Sequence, residues 1–325
     1  MSDVVALLRG AERITTICHE NPDADTLGAA IALAIAAERM GKRSEVVSGD
    51  PPPPFLAFLP RVADVRRAPQ LEPDVAVVLD AGDLARTGSV AVEQSEWLAR
   101  ARIANVDHHV SNTGFGEAVL IDPTAAATCE MVALLLPELG VPLDREIATA
   151  LLAGIVQDTH TFAHPNATPR TLRVAAELVE AGADLSRLNR AVYADKPFST
   201  LALWGLILAG IGQRCDGRIV HASMTALMLQ QTGESATASE GFVDLLASTK
   251  AADVTVLFKE VDATATRVSV RTTERADAVA ITSAFGGGGH ARAAGCTVAA
   301  PLADAREQLL AECERELARA DAGSR

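Results

Sequence analysis

Between residue 14 and about residue 160, short apolar runs alternate with longer segments whose apolar residues recur at helical spacing. The run Val75–Leu79 is continuously apolar, which is typical of a strand buried on both faces of a sheet. Further strands are predicted at Ile14–Cys18, Glu45–Val47, Ile103–Val106 and Val119–Ile121. Helices are predicted at Thr26–Met40, Ala125–Leu136, Glu146–Ile155 and Pro169–Ala181. This alternation predicts an α/β fold, with a Rossmann-like parallel sheet and helices on both faces.

The pattern changes beyond Tyr193, where strands become more frequent and a hairpin is expected around Asp262. The predicted elements are an apolar helix at Leu201–Ile211, strands at Arg218–Ser223, Val254–Phe258 and Arg267–Arg271, and a charged helix at Ala303–Ala320. We therefore expect a first domain over residues 1–190 and a linker over 191–215. A second, smaller α/β domain is expected over residues 216–325.

The composition supports two domains whose cores consist of small aliphatic side chains. The chain has 325 residues, which is more than one compact core usually supports. Hydrophobic residues make up 49% of the chain and aromatic residues only 3%, so the packing must depend on Ala, Leu and Val. Such a composition suits helices packed on a sheet better than a β-sandwich.

The formal net charge of −13 disfavours the binding of duplex DNA, because an acidic surface repels a polyanion. A small anionic substrate is compatible with this charge, since metal ions or a few arginines can reverse the field at one site. The five cysteines are scattered, which indicates reduced thiols in a cytoplasmic protein. No signal peptide is apparent and the apolar runs are too short to span a bilayer, so no membrane partner is expected.

Acidic and histidine residues cluster at the ends of the predicted strands. The set comprises His19, Asp23 and Asp25 after the first strand, Asp80 after the third, Asp107, His108 and His109 after the fourth, and Asp158 at the end of a predicted helix. Because open α/β sheets place ligands at the carboxyl ends of their strands, we expect these side chains to converge. A single aspartate in such a position more often caps a turn, but the coincidence of so many favours a functional site.

Carboxylates that converge in this way cannot all remain ionised unless cations are bound between them. Two divalent ions bridged by one aspartate, about 3.5–4 Å apart, would flank a nucleophilic hydroxide that attacks phosphorus. Carboxylate and imidazole ligands without thiolates favour Mn²⁺, with Mg²⁺ or Co²⁺ as substitutes. The sequence therefore predicts a phosphoesterase with two metal ions.

Taken together, the motifs resemble those of the DHH phosphoesterase superfamily. The first domain carries His19-Glu-Asn-Pro-Asp23-Ala-Asp25, Val78-Leu79-Asp80, Asp107-His108-His109 and Gly154-Ile155-Val156-Gln157-Asp158. The second resembles the DHH-associated domain, with Val268-Ser269-Val270-Arg271, Phe285-Gly-Gly-Gly-Gly289-His290 and Ala293-Ala294-Gly295. Length and both halves are most similar to the NrnA group of oligoribonucleases, which also convert adenosine 3′,5′-bisphosphate to AMP. Some members of that group hydrolyse cyclic di-AMP or its linear product pApA.

The resemblance also implies individual roles for the residues of the first domain. One metal would be held by His19, Asp23 and Asp80, and the other by Asp25, Asp80, His108 and Asp158, so that Asp80 bridges the pair. Asp107 is expected to orient His108 through its second ring nitrogen. His109 is expected to face the phosphate, as a catalytic residue that stabilises charge or assists proton transfer. His160 stands where many relatives have a smaller residue, and contact with substrate or metal, or else packing, would explain it.

The glycine-rich motif of the second domain has two interpretations, a flexible loop or a phosphate-binding backbone. Glycines allow backbone N–H groups to approach an anion closely, and the guanidinium of Arg271 suits a phosphate. With the resemblance, this favours substrate binding by Arg271, Gly287, Gly288, Gly289 and His290, assisted by Arg292. The family also leads us to expect a homodimer.

Three other functions remain as alternatives. Family II inorganic pyrophosphatases share the motifs of the first domain but lack a second domain of the GGGGH type. A RecJ-like single-strand exonuclease is generally longer and needs an extended nucleic-acid track. A nucleotide sensor without catalysis does not require a complete set of metal ligands.

Overall fold

The computed structural model describes residues 1–323. The chain forms two compact units, which adjoin in the sequence at Asp195 and Lys196. Within the described residues, no helix has both the length and the apolar character needed to cross a membrane.

The first unit is built on a parallel sheet of five strands with the order β2-β1-β3-β4-β5. Its strands are β1 (Arg13–Ile17), β2 (Arg43–Val47), β3 (Val75–Leu79), β4 (Arg102–Asp107) and β5 (Ala118–Ile121). The predicted strands all occur, and β3 has the predicted bounds. Its residues are all buried, as expected for a continuous apolar run in a parallel sheet.

Helices cover both faces of this sheet. They are α1 (Ser2–Gly10), α2 (Ala24–Arg39), α3 (Ser89–Glu93), α4 (Ser95–Leu98), α5 (Thr128–Leu139), α6 (Arg145–Asp158), α7 (Pro169–Glu180) and α8 (Leu185–Asn189). Successive side chains of a strand point to opposite faces. Val77 packs into the cluster that contains α1, α2, α5, α6 and α7, whereas Val78 packs with Val90 of α3 and Leu98 of α4. The predicted Rossmann-like architecture is therefore confirmed.

Helix α5 begins at Thr128 rather than at the predicted Ala125. Ala127 is fully extended, with φ −160° and ψ 154°, and the carboxylate of Glu130 accepts a hydrogen bond from the N–H of Ala126 at 3.0 Å. The Ala-rich sequence alone favours a helix here, but this side-chain contact with the backbone prevents one.

The second unit contains a mixed sheet of six strands with the order β10-β11-β9-β8-β7-β6. The strands are β6 (Gly212–Arg214), β7 (Ile219–Met224), β8 (Val254–Glu260), β9 (Thr266–Thr272), β10 (Gly288–His290) and β11 (Ala293–Val298). Only β7 and β8 pair in parallel; the other neighbours are antiparallel. The predicted hairpin is confirmed as β8–β9, and Asp262 accepts hydrogen bonds from Thr264 in its turn.

The helices of the second unit also pack on both faces of its sheet. They are α9 (Phe198–Ala209), α10 (Ala226–Thr232), α11 (Phe242–Ala247), α12 (Ala278–Ser283) and α13 (Leu302–Gly323). Helix α13 contributes Leu309 to the core on one face, and α9 contributes Leu203 and Ile207 to the core on the other. The segment 191–215, expected as a linker, thus includes α9 and β6, and it lies in the second unit from Lys196 onward.

Candidate metal centre

The strand order of the first sheet brings the carboxyl ends of β1, β3 and β4 next to one another. His19 follows β1, Asp80 follows β3, and Asp107 ends β4. Ligands in open α/β sheets bind at this edge, where the direction of strand progression reverses. The structure brings together the residues predicted as metal ligands: His19, Asp23, Asp25, Asp80, His108 and Asp158.

The first group of potential ligands is His19, Asp23 and Asp80. The Nε2 atom of His19 lies 3.7 Å from Asp23 Oδ1 and 3.5 Å from Asp80 Oδ2. All three potential ligand atoms lie within 4.8 Å of one another. This spacing leaves one cation within reach of all three side chains.

The second group is Asp25, His108 and Asp158, whose ligand atoms also lie within 4.8 Å of one another. The Nε2 atom of His108 is 3.4 Å from Asp158 Oδ2 and 3.4 Å from Asp80 Oδ1. The two carboxylate oxygens of Asp80 therefore face one histidine from each group. This is the arrangement expected of a bridging ligand.

Burial and mutual repulsion strongly perturb the carboxylates of this cluster. Burial, and then the charge of Asp80, raise the pKa of Asp25 to about 7. Burial and the neighbouring charge of Asp25 also raise the pKa of Asp158 well above its usual value. For Asp80, the effect of burial is outweighed by hydrogen bonds from His108 and His19, so its pKa lies well below the usual value.

The two histidines compensate for part of this negative charge. Burial opposes their protonation, but hydrogen bonds to Asp23 and Asp80 raise the pKa of His19 to about 11. A hydrogen bond to Asp80 and the charges of the nearby aspartates raise the pKa of His108 to about 11. Without cations, the cluster therefore balances its charge by holding protons. Bound cations would have to displace those protons. The oxygen and imidazole donors fit a divalent ion such as Mn²⁺.

The backbone of Asp80 adopts a conformation that few non-glycine residues tolerate. Its φ is +59°, in the left-handed region, which costs about 1–3 kcal/mol and persists only where the surroundings impose it. Its N–H donates to the carbonyl of Val106 at 3.0 Å, and the hydroxyl of Thr128 donates to its Oδ1 at 3.0 Å. These contacts turn the carboxylate toward both groups of ligands.

Asp25 is held by the first turn of α5. Its Oδ2 accepts the N–H of Thr128 at 2.7 Å and its Oδ1 accepts the N–H of Cys129 at 2.8 Å. These amides are among the helix N–H groups that have no partner within the helix. The sequence did not single out Thr128, and the Thr-x-Glu spacing near a helix start is its only local signal.

Asp23 also acts as the cap of α2, so the turn-capping role that the sequence left open is present. Its Oδ1 accepts hydrogen bonds from the N–H groups of Asp25 and Thr26. The N–H of Ala24 donates to Gln157 Oε1 at 2.9 Å. The cap fixes the carboxylate beside His19 and is compatible with metal binding.

The prediction that Asp107 orients His108 is wrong. Asp107 Oδ1 instead lies 2.6 Å from Nδ1 of His109, and Nδ1 of His108 faces the carbonyl of Ala125 at 3.3 Å. In an extended chain, residues i and i+2 point to the same side, which pairs Asp107 with His109. The hydrogen bond that Nδ1 of His109 donates to the Asp107 carboxylate raises the pKa of His109.

His160 packs in an aromatic cluster. Its ring stacks on His164 with centroids 5.2 Å apart and contacts the ring of Tyr193 at 4.5 Å. His160, Thr161 and Phe162 all have positive φ, so the chain turns sharply after α6. These contacts support the packing interpretation of His160.

The comparisons with known proteins identify the family. The DHH family N-terminal domain matches residues 13–155, and the DHHA1 domain matches residues 217–319. The chain is 33% identical over 323 residues to the bifunctional oligoribonuclease and PAP phosphatase NrnA of Thermus thermophilus. The alignment covers 98% of this chain and 94% of that protein. The chain belongs to the DHH family of phosphoesterases. The resemblance drawn from the motifs is therefore confirmed.

Other relatives agree with this assignment. The NrnA protein of Bacillus subtilis is 25% identical over 300 residues, covering 91% of this chain and 92% of that protein. The crystal structure of an exopolyphosphatase-related protein from Bacteroides fragilis has a TM-score of 0.91 at 22% identity, covering 98% and 97% of the two chains. That likeness shows the fold. RecJ from Thermus thermophilus has a TM-score of 0.50 at 13% identity, and only 54% of its chain is covered.

In the DHHA1 unit, the glycine motif forms a strand. Gly288–His290 is β10, which pairs with β11, so the alternative of a flexible loop does not describe this segment. A Cβ on Gly287 would lie 2.4 Å from the carbonyl oxygen of Gly295. Gly289 has φ +143°, and a Cβ there would lie 2.5 Å from the carbonyl oxygen of Ala293. Close backbone packing therefore requires glycine at both positions, while Gly288 is exposed.

Arg271 lies on β9, and its Nε donates to Asp244 Oδ1 at 2.7 Å. Arg267 lies on the same strand and the same face, directly opposite Lys259 of β8. Burial, and then the charge of Arg267, lower the pKa of Lys259. The sequence did not identify Lys259 or Arg267, because their shared face depends on the register of the hairpin. Arg292, expected to assist, instead donates to the backbone carbonyls of Thr273 and Ala276.

Proposed function

We propose that this DHH phosphoesterase is a metal-dependent enzyme that hydrolyses short nucleotides. Its substrates would be nanoRNA, pApA or cyclic di-AMP, with AMP as a product, and adenosine 3′,5′-bisphosphate, which it would convert to AMP. The observation that carries the proposal is Asp80, whose two oxygens each face a histidine of a different ligand group. The relatives named as oligoribonucleases and PAP phosphatases support the substrate class.

The proposed cofactors are two Mn²⁺ ions, for which Mg²⁺ or Co²⁺ could substitute. The first would be held by His19, Asp23 and Asp80, and the second by Asp25, Asp80, His108 and Asp158. When bound, such ions lower the pKa of water and neutralise charge on a phosphate. The protein's contribution is to hold the ligands in place through Thr128, the first turn of α5 and the strained backbone of Asp80.

The pair Asp107 and His109 supplies proton chemistry beside these ligands. Asp107 holds the Nδ1 atom of His109, and we assign to Nε2 the donation of a proton or a hydrogen bond. The hydrogen bond with Asp107 raises the pKa of His109 and so favours the protonated ring. We assign His109 the role of stabilising a phosphoryl oxygen or protonating the leaving oxygen, and Asp107 the role of orienting it.

The DHHA1 unit would bind the nucleotide through Arg271, Gly287, Gly288, Gly289 and His290. Arg271 lies on one sheet face with Arg267 and Lys259, where Asp244 and Glu240 offset part of the positive charge. A phosphate would compete with Asp244 for the guanidinium of Arg271. A few cationic side chains in an acidic protein favour short anions over long nucleic acids.

The alternatives are less well supported. A pyrophosphatase of family II has no DHHA1 domain, whereas residues 217–319 match one. RecJ is nearly twice as long as the part of it that aligns with this chain. A cytoplasmic location and a homodimer remain part of the proposal.

A substrate panel in the presence of Mn²⁺ tests the proposed function. We expect turnover of pApA, cyclic di-AMP or adenosine 3′,5′-bisphosphate, and little turnover of pyrophosphate or of a long single strand. Hydrolysis of pyrophosphate alone would refute the proposal and favour a pyrophosphatase. Preference for the long single strand would favour an exonuclease.

A further inference from the structure

Asn112 lies in the loop after β4 and belongs to none of the groups of potential metal ligands. Its Nδ2 lies 2.6 Å from Oδ2 of Asp107, 3.2 Å from the carbonyl oxygen of Ala81 and 2.8 Å from Oδ1 of Asn105. One amide group thus links strand β4, at Asn105 and Asp107, to the loop that follows β3, at Ala81.

The orientation of this amide follows from its chemistry. The Oδ1 atom of Asn112 accepts the backbone N–H of Gly114 at 2.7 Å. A backbone N–H can only donate, so this contact identifies the oxygen of the amide. The nitrogen must then face the carboxylate of Asp107 and the carbonyl of Ala81, which can only accept.

Through Asp107, this contact acts on His109. Asp107 is completely buried, and its other oxygen, Oδ1, lies 2.6 Å from Nδ1 of His109. Because a carboxylate is planar and rigid, fixing Oδ2 with Asn112 also fixes the direction in which Oδ1 holds the imidazole. The three side chains form a continuous hydrogen-bonded chain.

Through Ala81, Asn112 also acts on Asp80. The carbonyl of Ala81 accepts hydrogen bonds from both Asn112 and Asn105, each at 3.2 Å. This carbonyl belongs to the residue that follows Asp80, whose backbone is in the left-handed region. Such a conformation needs surrounding contacts to hold it, and these two bonds are part of that constraint.

We infer that Asn112 is a positioning residue that sets the geometry of the Asp107–His109 pair and, through Ala81, of the shared carboxylate Asp80. The inference rests on the proposed function for its effect on turnover. Its effect on cation binding can be measured without any substrate. Removing a partner of this kind typically costs about 10–100-fold in activity or metal affinity.

The test compares Asn112→Ala and Asn112→Asp with the neighbouring control Thr113→Ala. Thr113 also joins these loops, since its hydroxyl donates to the carbonyl of Gly82 at 3.2 Å, but it has no contact with Asp107. Asn112→Asp keeps the side-chain size and the acceptor for Gly114, but it replaces the donor to Asp107 with a carboxylate that repels it. For each protein we would measure kcat and KM with bis(p-nitrophenyl) phosphate and Mn²⁺, and the Mn²⁺ affinity by calorimetry.

We expect kcat to fall about 10–100-fold in both Asn112 variants while KM changes little, because the reacting groups and not substrate binding are disturbed. Asn112→Ala should also weaken Mn²⁺ binding about tenfold, and Thr113→Ala should match the wild type. A wild-type kcat for Asn112→Asp would overturn the inference. It would show that the hydrogen bond from Gly114 to Asn112, which this variant keeps, is enough for full activity. Equal losses in Thr113→Ala would also overturn the inference.

Failure of the proposed function gives a different pattern. A wild-type protein that hydrolyses neither this diester nor any of pApA, cyclic di-AMP and adenosine 3′,5′-bisphosphate contradicts the proposed function. The Mn²⁺ titration then still decides the inference: weaker binding in Asn112→Ala than in Thr113→Ala supports it, and equal binding contradicts it. If Asn112→Ala does not fold, Asn112→Asp provides the same comparison of kcat.

Discussion

Gly154 on α6 shows how closely the metal centre is packed. A Cβ at this position would lie 2.6 Å from Asp25 Oδ1 and 2.5 Å from Cys129 Sγ. Both neighbours are buried, so neither can move away without disturbing the start of α5. The glycine of the Gly154–Asp158 motif is thus required by the position of the Asp25 carboxylate, and the motif contributes more than its final ligand.

Gly154→Ala should therefore weaken Mn²⁺ binding by at least about tenfold, although alanine is favoured over glycine in a helix by about 1 kcal/mol. Calorimetric titration of the metal-free variant measures this. The matched control is Gly205→Ala in α9, where a Cβ would have no neighbour within 4 Å. The control should keep wild-type Mn²⁺ binding and unfold at a slightly higher temperature. Wild-type Mn²⁺ affinity in Gly154→Ala would contradict this role.

The set of potential metal ligands was predictable from the sequence, whereas their hydrogen-bond partners were predicted less well. Six potential ligands lie together because strand ends in a parallel sheet meet at one edge. The partner of Asp107 was assigned wrongly, since the direction of each side chain beyond β4 depends on how the chain leaves the strand. Thr128 went unnoticed because its contacts with Asp25 and Asp80 are with residues distant in the sequence. Asn112 went unnoticed because its contacts depend on how the loop after β4 folds back onto the strand and onto Ala81.

At the level of secondary structure, the start of α5 is the part of the fold on which the site depends most. Its residues bind Asp25 and Asp80, and Ala125 just before it faces His108. This start is anchored by Glu130, a completely buried carboxylate. Glu130 accepts from Ala126, from Arg170 and from Thr171.

Glu130→Ala should lower the free energy of unfolding by about 1–3 kcal/mol, because the buried N–H of Ala126 and the buried hydroxyl of Thr171 lose their acceptor. Arg170 keeps its ion pair with Asp122. We would measure the change in unfolding free energy by urea denaturation, with Glu138→Ala on the exposed side of the same helix as the control. A change of less than about 1 kcal/mol in Glu130→Ala would show that the start of α5 does not depend on this carboxylate.

Elements with a strong local pattern were predictable, and those formed by distant contacts were not. The continuous apolar run Val75–Leu79 is β3 residue for residue. Helix α1 was not predicted. Its buried residues Val4, Leu7 and Leu8 pack against α5 and β5, and these contacts with distant segments are not apparent from the local sequence. The glycines of β10 favour a loop locally, and their pairing with β11 makes them a strand.

For the whole molecule, the question is what the DHHA1 unit adds to the metal centre. The first unit holds the potential metal ligands, and the second holds three cationic side chains, Arg271, Arg267 and Lys259, on one sheet face. We propose that the first provides hydrolysis and the second provides affinity for nucleotides. Chemistry and substrate selection would then be separable by mutation.

Arg271→Ala should raise KM for pApA about tenfold or more, as expected for loss of a charge-assisted contact. Its kcat should change much less, and its KM for bis(p-nitrophenyl) phosphate should not change, because that substrate carries no distal phosphate. Steady-state kinetics with both substrates check this. Arg292→Ala is the control, since its guanidinium binds backbone carbonyls. An unchanged KM for pApA would remove Arg271 from the binding site.

The most direct test of the account is to restore activity to metal-free protein by adding Mn²⁺ while following the hydrolysis of pApA. Protein treated with EDTA and dialysed should show no turnover, and activity should return as about two Mn²⁺ ions bind per chain. Asp80→Ala should bind fewer ions and recover no activity, because Asp80 is shared by both ligand groups. Undiminished turnover by metal-free protein, or full recovery in Asp80→Ala, would contradict the central claim.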